Sequence, residues 1–326
     1  MDRQRFWNRS SIMNASLFHQ LVKSVVSPYE ELLAYEYLYS MQGMTLRKIT
    51  GMTVDLGKTP SQALKDEFGL FDARNTDGYR AVAEYIDGKM GSFDMAINGT
   101  PSWPASLSDS RRPAPVLYSR GSMGLMNARS ISVVGARKAT RKGLDTSAAI
   151  ARDLVRSGIA VVTGLAAGID TAATKSAIRY GSSKAIGVIG TPIDECYPKE
   201  NASLVDAMLD EGCLIVSQVP FYRYSTQPFS TKKYYFPERN ELMAAISDAT
   251  LIVEASDTSG TLTQARACQH QGRPLFIMRD CIENPSLTWP KKWANKPMTF
   301  IVDSADEAAS IMNDNAFWRD CHAAAE

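Results

Sequence analysis

From residue 131 onward, short apolar segments rich in β-branched residues alternate with stretches whose apolar residues recur at helical spacing. The first such segment, 131–135, ends in glycine and is followed by Leu144, Ala148, Ala151 and Val155. Strands that alternate with crossover helices form a mainly parallel sheet, because parallel strands need long connections that cover the faces. The pattern therefore predicts an α/β protein whose mainly parallel sheet carries helices on both faces.

The same alternation gives the expected elements along the chain. Strands are predicted at 131–135, 159–163, 185–189, 214–217, 251–254 and 275–278, with a last edge strand at 299–302. Helices are predicted after the first strand and at 168–180, 202–211, 241–247 and 261–271. Right-handed crossovers would bring the carboxyl ends of the parallel strands to one rim, where ligands of such sheets bind.

The amino-terminal part of the chain has a different pattern. It lacks β-branched alternation and contains helical patterns near 32–39, 59–68 and 78–86, and a segment with four prolines and several serines follows it. We therefore expect an N-terminal helical domain at 1–97, a Pro/Ser-rich linker at 98–115, the main α/β domain at 116–313 and a C-terminal tail at 314–326.

Composition limits the classes of partner. With 36 Lys and Arg against 35 Asp and Glu, the formal net charge is +1, so any nucleic-acid binding must come from a local cluster of cations. The five cysteines and three histidines have no metal-ligand spacing, and no metal is expected. The first residues lack the apolar run of a signal peptide, and no membrane span is visible, which predicts a cytoplasmic protein.

Four loops with unusual composition follow predicted strands. Glycine lets a phosphate approach the backbone, Arg and Lys supply charge, and free N–H groups at a helix start can bind an anion. An ordinary solvated turn and a capped helix start are the alternatives for the first two loops. Their candidate residues are Gly135, Arg137 and Lys138 in the first loop, and Gly164, Gly168 and Asp170 in the second.

The third segment, 232–240, contains two lysines, three aromatic residues and an arginine within nine positions. Cations that hold the backbone, interleaved with rings that stack on bases, suit single-stranded nucleic acid. An aromatic segment packed under the sheet, with exposed lysines, explains the composition equally well. The candidate residues are Lys233, Phe236, Arg239 and Asn240.

The fourth loop offers hydroxyl groups and backbone amides where a strand turns into a helix, at Ser259, Gly260 and Thr261. A capped helix start is again the alternative. The P-loop string and the dinucleotide fingerprint are both missing, so no cofactor is expected. Glu254 and Asp257 could act as acid and base, but no His or Cys partner can be assigned to them. No catalytic residue is therefore predicted, and the chain is not expected to be an enzyme.

Taken in order, these strings resemble the DprA/Smf family of DNA-processing proteins over about residues 113–280. The order of the motifs makes the resemblance far more specific than any single match. The matching pieces are Pro115-Val-Leu-Tyr-Ser-Arg-Gly121, Val133-Val-Gly-Ala-Arg-Lys138, Thr163-Gly-Leu-Ala-Ala-Gly-Ile-Asp170, Tyr197-Pro-Lys-Glu-Asn201, Phe236-Pro-Glu-Arg-Asn240, Ser259-Gly-Thr-Leu262 and Gly272-Arg-Pro274.

The resemblance implies an extended Rossmann-like fold, sequence-independent binding of single-stranded DNA and a homodimer. In members that serve natural transformation, it also implies delivery of the DNA to a RecA-type recombinase. The DNA contacts that it implies are Gly135, Arg137, Lys138, Gly164, Gly168, Lys233, Phe236, Arg239, Asn240, Ser259 and Gly260.

The chain departs from the family pattern at several positions. It has Ala136 where Ser is usual, Thr174 where His is usual and Glu241 where Arg is usual, and the family's Pro-Gly loop after Met278 is absent. We expect an acid at position 241 to weaken DNA binding or to alter the ligand. The departures indicate a divergent branch, with a mobile element or phage defence as a candidate context.

Two other functions stay open. The first is a nucleotide-binding sensor or a nucleotide phosphoribohydrolase-like enzyme, since those enzymes belong to the same fold superfamily. They use a glutamate in the helix after the glycine-rich loop, whereas residues 263–268 contain no carboxylate here. The second is an interaction scaffold, in which the N-terminal helical segment binds a partner.

Overall fold

The computed structural model describes residues 27–68 and 73–313, where nine strands form one sheet. The predicted tail at 314–326 lies outside the described residues. The strands are β1 Asp94–Ile97, β2 Val116–Gly121, β3 Ser130–Gly135, β4 Ala160–Thr163, β5 Ala185–Val188, β6 Leu214–Ser217, β7 Ala249–Glu254, β8 Leu275–Met278 and β9 Thr299–Val302.

Helices flank this sheet and also make up most of the described N-terminal segment. None of the helices within the described ranges has the length and apolar character that a membrane span requires. Their bounds are α1 Pro28–Ser40, α2 Leu46–Met52, α3 Pro60–Phe68, α4 Asp77–Asp87, α5 Arg141–Arg156, α6 Ile169–Tyr180, α7 Ala202–Asp210, α8 Phe221–Thr226, α9 Phe229–Lys232, α10 Tyr235–Ile246, α11 Thr261–His270, α12 Arg279–Glu283, α13 Trp289–Ala294 and α14 Ala305–Asn313.

The strand order is β1-β2-β6-β5-β4-β3-β7-β8-β9. The strands from β6 to β9 in this order pair in parallel, whereas β2 pairs antiparallel with β6, and β1 antiparallel with β2. The predicted α/β class, the mainly parallel sheet and the Rossmann-like fold are confirmed. All seven predicted strands are present, with ends that move by at most two residues, and β9 is an edge strand as expected.

The connection of the strands creates a crevice near the middle of the sheet. From β3 the chain moves outward through β4, β5 and β6, and then returns to place β7 on the other side of β3. The register of β3 against β7 shifts between Val134 and Gly135, so that Gly135 pairs with Glu254 at the end of β7. In open sheets of this kind, ligands bind outside the carboxyl ends of the strands where the order reverses. This point lies between the ends of β3 and β7.

The N-terminal helices pack into the same apolar core as one face of the sheet. Residues of α1 such as Leu32 and Leu38 belong to one buried cluster together with Ile131 and Val133 of β3. Within α1, the buried carboxylate of Glu36 accepts hydrogen bonds from the Tyr118 hydroxyl at 2.6 Å and from two backbone N–H groups at the start of α8 at 2.9 Å. These bonds fix α1 to β2 and α8.

The predicted domain division differs from the structure in two respects. Strand β1 falls within the segment 1–97 that was expected to be helical, and it adds to the edge of the sheet. The segment 98–115 is held against the main domain, because Arg111 N–H donates to Gln271 at 2.9 Å and Asp109 pairs with Arg273 at 2.8 Å. Residues 98–115 therefore lie on the main domain over part of their length.

Helix α10 carries a half-buried carboxylate that makes stability depend on pH. Burial raises the pKa of Glu238 from 4.5 to about 7, and the nearby Arg112 only partly offsets this. The native state thus favours the protonated acid, so this contribution to stability is complete below about pH 4.5 and is lost as the pH rises through 7.

We therefore expect Glu238→Gln to raise the free energy of unfolding at pH 8 by about 2 kcal/mol and to leave it unchanged at pH 4.5. Urea denaturation at both pH values measures the difference, with Glu84→Gln on the exposed face of α4 as the control. An equal effect of Glu238→Gln at both pH values would contradict the assignment.

Candidate functional site

A cavity of ≈ 950 Å³ opens at the carboxyl ends of the strands, at the point where the strand order reverses. All of the predicted site residues line it except Gly164, Gly168 and Lys233. Loops that are far apart in the sequence therefore meet at one site. The predicted residues along its wall are Gly135, Arg137, Lys138, Asp170, Phe236, Arg239, Asn240, Ser259, Gly260 and Thr261.

Two exposed cations stand at the mouth of this cavity. Arg137 and Lys138 lie in the loop between β3 and α5. The carboxylate of Glu254, at the end of β7, fixes this loop by accepting the Thr140 N–H at 3.0 Å and the Thr140 hydroxyl at 2.6 Å. Glu254 therefore orients the cationic loop and holds Thr140, the N-cap residue of α5. The role of this carboxylate is structural. Neither Arg137 nor Lys138 forms a salt bridge within the described residues.

Arg239 forms part of the floor of the cavity and is only 7% exposed. Its Nη1 donates to the carbonyl of Val188 at 3.0 Å, whereas its buried Nε has no hydrogen-bond partner among the described residues. Burial lowers the pKa of Arg239, Asp170 opposes this effect, and the positive charge of Arg137 adds to it. An anion in the cavity would offset the repulsion between the two guanidinium groups.

Asp170 is the buried acid that faces Arg239. Its Oδ2 accepts the N–H of Gly164 at 2.9 Å, and burial raises its pKa against the opposing charge of Arg239. Asp170 therefore holds the second loop and compensates the buried cation. Its own negative charge makes a direct contact with a phosphate unfavourable, although it was among the predicted ligand-binding residues.

Three of the predicted glycines allow close packing beneath the cavity. A Cβ on Gly164 would lie 1.5 Å from Nη1 of Arg239, and one on Gly135 would lie 2.5 Å from Cγ1 of Ile169. Gly168 has a φ of 80°, and a Cβ there would lie 2.3 Å from the carbonyl oxygen of Ala136. These positions were predicted from the approach of a phosphate, yet the structure gives each of them a packing reason. Gly260 differs, since a Cβ there meets nothing within 4 Å.

We expect Gly164→Ala to displace the Arg239 side chain and to destabilise the fold by about 3 kcal/mol, because overpacking of this kind typically costs 1–3 kcal/mol or more. Gly260→Ala is the matched control and should change the free energy of unfolding by less than about 0.5 kcal/mol. Urea denaturation of both variants makes the comparison. Equal stability of the two variants would contradict the packing of Arg239 against Gly164.

The loops after β3 and β7 are joined by hydroxyl groups. The Oγ of Ser259 accepts the Thr261 N–H at 3.1 Å and donates to the Thr261 hydroxyl, which in turn donates to the carbonyl of Gly135 at 3.0 Å. These bonds fix the first residue of α11 at the cavity wall and hold the first turn of the helix next to β3. The N-cap residue of α11 is Gly260, which makes no side-chain capping bond, so Ser259 holds the first turn from the position before the cap.

Helix α10 brings Phe236, Arg239 and Asn240 to the cavity on one face, because these residues are three and four positions apart. The sequence predicted that this helix starts at residue 241, whereas it starts at Tyr235. Pro237 is the reason for the error, and it is tolerated because it lies in the first turn, where its missing N–H has no helical partner.

Lys233 is exposed outside the cavity lining, with its ammonium 5.5 Å from the centre of the Tyr234 ring. Phe236 is half-buried over Gly190, and its ring centre lies 5.7 Å from that of Tyr197. Tyr197 was not predicted as a site residue. Its only signal in the sequence was its place in a matching motif.

One end of the cavity carries acids that the sequence did not single out. Asp280 and Glu283 of α12 line it, and Asp280 pairs with Lys142 at 2.8 Å. Asp257, which the sequence analysis considered together with Glu254 as an acid or base, accepts the Trp289 N–H at 2.7 Å. This hydrogen bond lowers the pKa of Asp257 and fixes the start of α13. The segment after Met278, where the family pattern is absent, thus forms one wall of the site.

The departure at Glu241 has a structural role. Glu241 lies outside the cavity lining, forms an ion pair with Arg112 at 3.4 Å and shares a hydrogen bond with His270 at 3.2 Å. It therefore helps to hold the segment 98–115, and its effect on DNA binding stays a prediction. Thr174 is buried in a hydrogen bond with Thr163 at 2.8 Å, and Ala136 lines the cavity.

Comparison with known proteins agrees with this fold. The model of the family described as DNA recombination-mediator protein A matches residues 94–311. The DNA processing protein DprA of Bacillus subtilis is 29% identical over 250 residues, which cover 76% of this chain and 80% of that protein. The Smf protein of Escherichia coli is 29% identical over 202 residues, which cover 62% of this chain and 52% of that protein.

Solved structures give the same result for the fold. The X-ray structure of DprA from Streptococcus pneumoniae matches with a TM-score of 0.67 and 25% identity, and covers 87% of this chain and 98% of that chain. DNA processing protein A from Helicobacter pylori, whose structure concerns its single-stranded DNA binding mode, matches with a TM-score of 0.57 and 23% identity over 68% of this chain and 95% of that chain.

The fold defines an α/β protein of the extended Rossmann-like class, and Arg137, Lys138 and Arg239 line the cavity where the strand order reverses, which we call the rim cavity. Because the family model covers well over half of its length, the chain belongs to the DprA/Smf family of DNA-processing proteins. The resemblance found in the sequence is thereby confirmed.

Proposed function

We propose that this chain binds single-stranded DNA without sequence preference, with the sugar-phosphate backbone at the mouth of the rim cavity. The observation that carries the proposal is the convergence of Arg137 and Lys138 over the buried guanidinium of Arg239. Cations at the mouth and backbone amides in the wall bind phosphate groups and do not distinguish one base from another.

The aromatic side of the cavity favours single strands over duplex. Phe236 is half-buried in the wall with Arg239 at 6.0 Å, so one face of an unpaired base can stack where its phosphate is neutralised. A paired base in a duplex has no free face for such a contact, whereas stacking on aromatic side chains is the usual means of holding single strands. Asn240, one helical turn further, adds an amide to the same wall.

Relatives support the proposal. The structure from Helicobacter pylori concerns the binding of single-stranded DNA by that protein, and the matched family is described as a recombination mediator. We propose accordingly that a RecA-type recombinase takes over the bound strand and that the chain acts as a homodimer. Sedimentation analysis of the purified chain and a strand-exchange assay with a RecA-type recombinase test these two extensions separately.

Fluorescence anisotropy with labelled oligo-dT and with duplex of the same length, over a salt series, tests the proposal. We expect tighter binding of oligo-dT and an affinity that falls as salt rises. Equal or tighter binding of the duplex would contradict it. Displacement of oligo-dT by an equal concentration of a free mononucleotide would instead support the nucleotide-sensor alternative.

A further inference from the structure

The two ends of the rim cavity differ in charge and in chemistry. The order β5-β4-β3-β7-β8 puts the end of β5 and the end of β8 on opposite sides of the point where the order reverses. Asp280 and Glu283 line the cavity beyond β8, whereas Phe236 covers Gly190, two residues beyond the end of β5. Asp280 is paired with Lys142, whereas Phe236 offers the next base a ring on which to stack, so the end beside β5 is the favourable exit.

Two sets of ring and cation contacts lie beside this exit. The Phe236 ring lies 5.7 Å from the ring of Tyr197, which is 50% exposed. Tyr224 is buried, its ring lies 5.7 Å from that of Tyr235, the residue before Phe236, and the ammonium of Lys232 lies 4.0 Å from its ring centre. We call Phe236, Tyr197, Tyr224 and Lys232 the exit track.

We infer that a single strand leaving the rim cavity continues over the exit track, with a second base on the exposed face of Tyr197 and a phosphate on Lys232. This inference rests on the proposed function, because it assigns the further course of the same strand. The footprint of the protein is then longer than the cavity, and it extends away from the acidic wall of α12.

The members of the exit track have the positions that such a path needs. Half of the Tyr197 side chain is open to solvent, while its contact with Phe236 holds the two rings as neighbours. Tyr224 is too buried to contact a strand, but its ring fixes the position of the Lys232 ammonium through a cation–π contact. An ordered cation and an open ring are the two parts of a single-strand groove.

A length series of oligonucleotides tests the inference. Wild-type protein, Tyr197→Leu and Tyr197→Phe are titrated with fluorescein-labelled oligo-dT of about 4, 8, 12 and 20 nucleotides, since sites on related single-strand binders span about 4–16 nucleotides. We expect Tyr197→Leu to lower the affinity for the longer oligomers about tenfold, which is the range of one stacked base, and to leave the shortest within about twofold. Tyr197→Phe should bind as the wild type does.

The matched control is Tyr180→Leu. Tyr180 is also an exposed tyrosine that lies beside arginine side chains, but it ends α6 and is absent from the cavity lining and the exit track. It should leave every affinity unchanged. A second variant of the exit track is Lys232→Gln, at a residue far from Tyr197 in the sequence. It should lower the affinity for the longer oligomers in the same way and make that affinity less dependent on salt.

The outcomes separate the two proposals. If Tyr197→Leu and Lys232→Gln bind all lengths as the wild type does, the exit track is wrong. The same conclusion follows if Tyr197→Leu weakens the shortest and the longest oligomers equally, because Tyr197 then acts through the cavity. If the wild-type protein binds no oligomer of any length, the failure is that of the proposed function itself.

Discussion

Replacing Arg137 and Lys138 together with alanine is expected to lower the affinity for oligo-dT about 100-fold at 0.1 M salt. Each side chain is exposed at the mouth of the cavity, and a hydrogen bond to a charged group is worth about 1.5–3 kcal/mol before screening. Two lost phosphate contacts should also reduce the slope of log K against log salt by about 1.4, since single strands give about 0.7 for each phosphate. Anisotropy titrations between about 50 and 300 mM salt measure both quantities. The Debye length is about 8 Å near the middle of this range.

The chain offers a matched control for this experiment. Arg47 and Lys48 on α2 are the same pair of residue types, are exposed and lie outside the cavity lining. The double alanine variant at these positions changes the net charge by the same amount. It should leave the affinity within about twofold of the wild type. If both double variants lost affinity equally, the protein would bind DNA through its overall charge, and the site would have no special role.

Replacing Arg239 with methionine is expected to lower the free energy of unfolding by about 3–5 kcal/mol. Methionine keeps the apolar stem, but it loses the hydrogen bond to Val188 and leaves the carboxylate of Asp170 buried without its cation. Removal of one partner from a buried charge pair typically has an effect of this size. Urea denaturation at pH 7 measures the change.

A double-mutant cycle separates this structural role from the loss of a hydrogen bond. Asp170→Asn keeps an acceptor for the Gly164 N–H and removes the charge. The double variant Arg239→Met with Asp170→Asn should therefore recover at least about 1 kcal/mol relative to the sum of the single changes. Strict additivity of the two changes would mean that the two charges do not stabilise each other in the folded protein.

The sequence predicted the central sheet because its strands are buried on both faces and read as compact β-branched segments. It missed β1 and β2 for a physical reason. Asp94-Met-Ala-Ile97 contains one β-branched residue, and the strand that begins at Val116 directly follows a segment with four prolines. Both strands form because β2 pairs with β6, which no local pattern reports.

The site was predicted to a similar degree. Loops rich in glycine, cations and hydroxyl groups do meet at one cavity, since the topology brings the carboxyl ends of their strands together. Local composition could not tell that Arg239 is buried, because burial depends on Gly164, which lies 75 positions away and leaves room for the guanidinium. The roles of Glu254 and Asp257 as acceptors for Thr140 and Trp289 follow from tertiary contacts in the same way.

The acidic wall and Tyr197 belong to the part that only the fold reveals. Asp280 and Glu283 look like ordinary charges of a short helix until β8 directs them to the cavity. Tyr197 looks like a loop residue until Phe236, 39 positions later, is placed against it. In each case, the position of the side chain relative to the cavity depends on a neighbour that is distant in the sequence.

Photocrosslinking can locate the bound strand on the surface of the protein. Oligo-dT that contains 4-thiothymidine is bound to the wild-type protein, irradiated and digested, and the attached peptides are identified by mass spectrometry. We expect the crosslinks in the peptides that carry Arg137 and Phe236, at the rim cavity. Crosslinks confined to surfaces away from the cavity, such as α2 or α14, would contradict the account.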